Sequence, residues 1–119
     1  MRLAVIADVH GNVRALEAVR ADIRECGADL TINLGDCVSG PLWPQETAAL
    51  LGEMGLPTVR GNHDRVMGDT PRALMVASDA FAFDQLSPAE RDHLFRLPQT
   101  LVPTAGVLAF HAKDGRKDK

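Results

Sequence analysis

RLAVIADVHGNVRALEAVRADIRECGADLTINLGD, from Arg2 to Asp36, decides the fold. It opens with RLAVIAD, a continuous apolar run that stops in polar residues, as a strand buried on both faces reads. GNVRALEAVRADIRECG follows, with Val13, Leu16, Ala18, Val19 and Ile23 close to helical spacing. Asn12 is placed to cap the start of that helix and Gly27 to close its end. DLTINLGD then repeats the strand pattern. Strand, helix and strand in this order imply a parallel pair joined by a right-handed crossover, with helices covering the sheet.

Outward from this unit the rhythm continues. PQETAALLGEMG reads as a second helix, with Pro44 in the first turn and Gly55 at the stop, and LPTVRGN reads as a third strand, completing βαβαβ. PRALMVASDAFAFDQL is helical in propensity, and its Leu74, Met75, Phe81 and Phe83 read as packing residues. In SPAERDHLFRL, Ser87 and Glu90 fit a capping box with Pro88 in the first turn. QTLVPTAGVLAFH predicts two short strands about a Pro-Thr-Ala-Gly turn, the second ending on His111. The expected organisation is one α/β domain over residues 1–111, followed by a charged, disordered tail over 112–119.

Composition narrows the function classes. A chain of 119 residues with 45% hydrophobic and 24% charged residues is an ordinary globular domain. Its net charge of -3 gives no electrostatic basis for bulk nucleic-acid binding or for an anionic membrane surface. No apolar stretch approaches the ~20 residues of a membrane span, and Leu3 to Ala7 is too short for a signal-peptide core. Cys26 and Cys37, without a CxxC, read as two reduced thiols, so a cytoplasmic protein is expected.

Topology brings the chemistry together. In a parallel βαβαβ unit the strands end at one edge, where ligands of open α/β folds bind. Asp8 and His10, Asp36, the Gly61-Asn62-His63-Asp64 cluster and His111 all fall at such ends. Residues two apart on an extended chain face the same way, so Asp8 and His10 can address a common centre. Carboxylates, imidazoles and a carboxamide gathered at one edge call for a cation, and a site with two metals is the economical reading. DVHGNV lacks GxGxxG, which excludes a dinucleotide-binding turn. Outside the cluster, Asn12 reads as a helix cap, Trp43 as a loop residue, Arg60 and Arg65 as structural arginines, and His93 as a helix residue.

Asp8-x-His10, Gly35-Asp36, Gly61-Asn62-His63-Asp64 and the strand-terminal His111, in that order and spacing, resemble the calcineurin-like metallophosphoesterase superfamily, in particular its small bacterial phosphoesterases. The resemblance spans Met1 to His111 and implies a layered α/β/β/α sandwich. It implies that Asp8 and His10 bind a first metal, Asp36 bridges, and Asn62 and His111 bind a second. His63 would be the general acid over the substrate, beside Asn62, with Asp64 orienting its ring. The implied cofactors are two divalent transition ions among Mn, Fe, Ni, Co and Zn. The implied reaction is hydrolysis of a phosphomonoester or phosphodiester, in a small molecule or nucleotide, by in-line attack of a metal-bound hydroxide. Family members continue to a Gly-His-x-His segment that these 119 residues lack. A C-terminally truncated chain of reduced activity, forming a homodimer through an exposed sheet edge, is therefore expected. The alternative expectation is a catalytically impaired metal-binding remnant or interaction module.

Overall fold

The computed structural model describes residues 1–112, so the expected tail lies, beyond Ala112, outside the described residues. Strand β1 (Leu3–Ile6), helix α1 (Val13–Cys26) and strand β2 (Leu30–Asn33) form the opening unit. β1 and β2 pair in parallel, from Leu3↔Leu30 to Ile6↔Asn33. The end signals act locally as their chemistry dictates. Asn12 Oδ1 accepts the Ala15 N–H at 3.1 Å, and Gly27 closes α1 in the left-handed region at φ 69°. Helix α2 (Pro44–Met54) stops the same way at Gly55.

The third strand is a correction. Instead of a strand through Asn62, the segment touches β2 at one parallel bridge, Asn33↔Thr58. Asn33 N–H donates to Pro57 O at 2.9 Å, and Val59 N–H to Asn33 O at 3.0 Å. Pro57 has no N–H for a longer ladder, and the chain then leaves the sheet: Arg60 N–H donates to Pro98 O at 2.7 Å. Asn62 begins a helix, α3 (Asn62–Asp69). Asp64, in its first turn, accepts the Gly61 N–H at 2.8 Å and so satisfies a donor at the helix start.

A 3₁₀ turn (Arg72–Leu74) precedes helix α4 (Ala77–Gln85). The packing role expected for Leu74 is not found, because it is 76% exposed in that turn. Helix α5 (Pro88–Phe95) carries both halves of its capping box: Ser87 Oγ accepts Glu90 N–H at 3.1 Å and Glu90 Oε1 accepts Ser87 N–H at 2.7 Å. Strands β3 (Thr100–Thr104) and β4 (Val107–Phe110) pair antiparallel around a tighter turn than expected, Ala105-Gly106.

Two apolar clusters hold these pieces. Ile32, Val59 and Ala109 join the parallel strands to the hairpin. Cys37, Val38, Met67, Ala82, Leu86 and Leu94 bind α3, α4 and α5 beneath the loop that follows β2. Burying a side chain such as Leu94 or Leu86 stabilises by about 1.5–3 kcal/mol. These contacts fix the loops leaving β1 and β2, and those loops carry the site. Among the described residues no helix is long and apolar enough to cross a membrane.

Candidate metal centre

The loops leaving β1 and β2 are zipped together by backbone hydrogen bonds. Asp8 N–H donates to Gly35 O at 3.0 Å, His10 N–H to Asp36 O at 3.0 Å, and Gly11 N–H to Cys37 O at 3.1 Å. Within this ladder Asp8, His10 and Asp36 have φ of 57°, 49° and 59°. They are the non-glycine residues at positive φ among the described residues. Such conformations cost of order 1–3 kcal/mol each and persist where the surroundings impose them, characteristically at functional sites. This corrects the expectation that Asp8 and His10 converge through an extended chain: β1 ends at Ile6, and left-handed residues aim both side chains. Gly40 and Gly61 matter for space, since a Cβ on Gly40 would collide with His10 O, and one on Gly61 with the Asp36 carboxylate.

The side chains of Asp8, His10 and Asp36 offer ligand atoms that all lie within 4.8 Å of one another. His10 Nε2 is 3.8 Å from both Asp8 Oδ1 and Asp36 Oδ2. From the hairpin side, His111 Nε2 comes within 3.3 Å of the same Asp36 Oδ2. Asp36, 4% exposed, therefore stands between two imidazoles, while its Oδ1 accepts the His63 N–H at 3.0 Å. A carbonyl only accepts, so the tautomers are fixed. His10 Nδ1–H donates to Ser39 O and His111 Nδ1–H to Leu34 O, each at 2.8 Å. Both rings thus turn Nε2, the nitrogen not committed to a carbonyl, toward the carboxylates, the arrangement that backbone carbonyls impose on metal-ligating histidines. Among the described residues neither Asp8 nor Asp36 has a lysine or arginine partner. Two carboxylates and two oriented imidazoles fit a divalent metal cation.

Asn62 is exposed at the first turn of α3, and His93 is exposed on α5. Asp64 does not orient His63. Its buried carboxylate accepts the N–H groups of Asp36 (2.9 Å), Cys37 (3.0 Å) and Gly61 (2.8 Å), so it staples the β2 exit loop to the start of α3. Adjacent helical residues do not face each other, which is why this neighbour cannot reach the His63 ring. Burial pushes its pKa above the ordinary carboxylate value, against the pull of those three donors. Beside it, burial and then the Asp64 charge raise the Cys37 thiol well above its usual range.

The carboxylate on His63 is Asp79, from α4: Nδ1 lies 3.0 and 3.3 Å from its two oxygens. No motif marks Asp79 in the sequence; in the fold it shares the buried face of α4 with Ala82. The arginines are structural, as expected, with Arg60 donating to Phe95 O at 3.0 Å and Arg65 to Asp69 Oδ2 at 2.8 Å. Trp43 donates its N–H to Gly11 O at 2.9 Å and lies under the Arg14 guanidinium.

An α/β fold whose strand-exit loops gather carboxylates and imidazoles about one point has the architecture of a metal centre. The calcineurin-like phosphoesterase profile matches residues 1–114, and the chain belongs to that family. The uncharacterized protein MJ0912 of Methanocaldococcus jannaschii is 40% identical over 62 residues, 52% of this chain and 26% of that protein. The crystal structure of a metallophosphoesterase from Sphaerobacter thermophilus superposes with a TM-score of 0.66 at 34% identity, covering 86% of this chain and 43% of that one. A structure described as a "putative diadenosine tetraphosphatase" gives a TM-score of 0.70 at 27% identity over 94% of this chain and 50% of that one. The chain thus spans half or less of the length of these relatives.

Proposed function

We propose that this protein is a metal-dependent phosphoesterase that hydrolyses phosphomonoesters or phosphodiesters of small molecules or nucleotides. The observation that carries this reading is the convergence of Asp8, His10, Asp36 and His111, three of the four held at strained φ. In this reading Asp8 and His10 hold one divalent ion, Asp36 is shared, and His111 with Asn62 holds a second. Ions of the Mn, Fe, Co, Ni or Zn type bound there supply Lewis acidity toward the phosphoryl oxygens and lower the pKa of water. His10 and His111 present Nε2 because their Nδ1–H groups are committed to backbone carbonyls. His63, 31% exposed, stands 5.5 Å ring to ring from His10, and in its protonated form delivers the Nε2 proton to the leaving alkoxide. Nucleotide polyphosphates are included as substrates because one structural relative carries that description. A cytoplasmic setting accords with the two free thiols.

The test is hydrolysis of p-nitrophenyl phosphate and bis(p-nitrophenyl) phosphate by metal-stripped protein, before and after addition of Mn²⁺, Co²⁺, Ni²⁺ or Zn²⁺. Hydrolysis that appears with metal and is lost in Asp36→Asn supports the assignment. Absence of turnover of both esters with every ion would contradict it and leave a metal-binding or interaction module.

A further inference from the structure

Asp79 is 4% exposed, yet its one ion-pair partner among the described residues is His63. It occupies the first turn of α4 without capping that helix: Val76 is the N-cap and no side-chain cap bond is made there. Its oxygens are used elsewhere. Oδ1 accepts from Ser39 Oγ and from His63 Nδ1, and Oδ2 lies 3.3 Å from the same ring nitrogen. Ser39 is itself 3% exposed, and its carbonyl accepts the His10 Nδ1–H at 2.8 Å. A single serine therefore joins the imidazole of the metal cluster to the carboxylate beneath the neighbouring imidazole.

We propose that Ser39 and Asp79 are a positioning pair, which fixes the tautomer and orientation of His63 and locks it to the same loop that orients His10. A carboxylate only accepts, so Asp79 requires the proton on His63 Nδ1. Nε2 is then the ring nitrogen that Asp79 leaves uncommitted. Ser39 Oγ–H occupies Asp79 Oδ1 from the other side, so the carboxylate cannot rotate away without abandoning a buried donor, which costs about 1–3 kcal/mol. The ring is held by α4, an element remote in sequence from every other member of the site. This role for Asp79 rests on the reading of His63 as the general acid; the tautomer it imposes does not.

Long-range ¹H–¹⁵N correlation spectra of the metal-free protein at pH 8 read which ring nitrogen is protonated, with no need of turnover. The wild type is expected to show His63 as a single Nδ1–H form. Asp79→Asn is expected to show a mixture containing Nε2–H. Ser39→Ala, which serves alone if the Asp79 variant does not fold, is expected to move the same resonances the same way by less. A His63 signature unchanged in both variants would overturn the pair. With Mn²⁺ added, Asp79→Asn is expected to keep its metal content and KM. Its kcat is expected to fall by about tenfold or more on phenyl phosphate, and by less on p-nitrophenyl phosphate, whose leaving group needs little protonation. Equal losses on both esters, or loss of metal, would overturn the positioning role. If the wild type hydrolyses neither ester, the phosphoesterase reading fails, and the spectra decide the pair by themselves.

Discussion

Asp8→Asn should change the sign of its effect on stability when metal is added. The ligand atoms of Asp8 and Asp36 lie within 4.8 Å, and the Asp8 side chain is 59% exposed, so the dielectric of water governs their repulsion. Two unit charges at that distance in water repel by about 1 kcal/mol. Asparagine keeps the size of the side chain and tolerates the left-handed conformation of position 8, so the backbone strain is unchanged. In metal-free protein at pH 8, above the ordinary imidazole range, the substitution is expected to stabilise by about 1 kcal/mol. The melting temperature then rises by roughly 3–5 °C for a domain of this size. Saturating Mn²⁺ raises the wild-type melting temperature through binding to the native state alone, and raises the variant's less, because one charged ligand is gone. The order of the two proteins is therefore expected to invert. Differential scanning calorimetry with chelator and with Mn²⁺ measures both orders. A variant that is more stable in both conditions, or less stable in both, would refute the reasoning.

Asp64→Ala strands three buried backbone N–H groups and is expected to destabilise by about 3–5 kcal/mol in urea unfolding, with His63 still in its Nδ1–H form. Because burial raises the Asp64 pKa in the folded state, its stabilisation is fully present below the ordinary carboxylate value and declines as pH rises through the raised one. The gap between wild type and Asp64→Ala in metal-free protein should accordingly narrow with rising pH; a widening gap would show the opposite shift. Ellman's reagent should titrate one thiol in the native protein, the exposed Cys26, and two in denaturant, since Cys37 is buried with its pKa raised. Rapid modification of Cys37 without denaturant would show that the loop opens. Among the described residues β1 pairs on one side only, and Val102, Leu108 and Phe110 are exposed on the hairpin, so light scattering is expected to give the mass of two chains. A monomer at all concentrations would remove the edge-pairing expectation.

What was legible in the sequence is what local chemistry encodes. Asn12, Gly27, Gly55 and the Ser87–Glu90 box mark helix ends because each satisfies orphan groups of its own turn. The gathering of Asp8, His10 and Asp36 was legible because parallel topology dictates where strands end, whereas His111 arrives from the separate antiparallel hairpin and is docked by its bond to Leu34 O. The conformations that aim them were not, since positive φ at three non-glycine residues is imposed by the ladder between two loops. The start of α3 was misread because PTVRGN has strand composition, whereas Pro57 and the pull of Arg60 toward Pro98 end the pairing after one bridge. The family resemblance implied Asp64 for His63; the helix turns the two apart, and a carboxylate 16 residues on takes the place. Asp79 and Ser39 carry no motif, so only tertiary packing shows them.

The most direct test of the metal centre is an electron paramagnetic resonance titration with Mn²⁺, which counts free ion in the presence of wild type and of Asp36→Asn. Asp36 stands between His10 and His111, so its loss is expected to weaken binding by more than the ~10–100-fold typical of outer partners, and by more than Asp8→Asn does. Equal retention of Mn²⁺ by wild type and Asp36→Asn, or no retention by the wild type, would contradict the assignment of this cluster as a metal site.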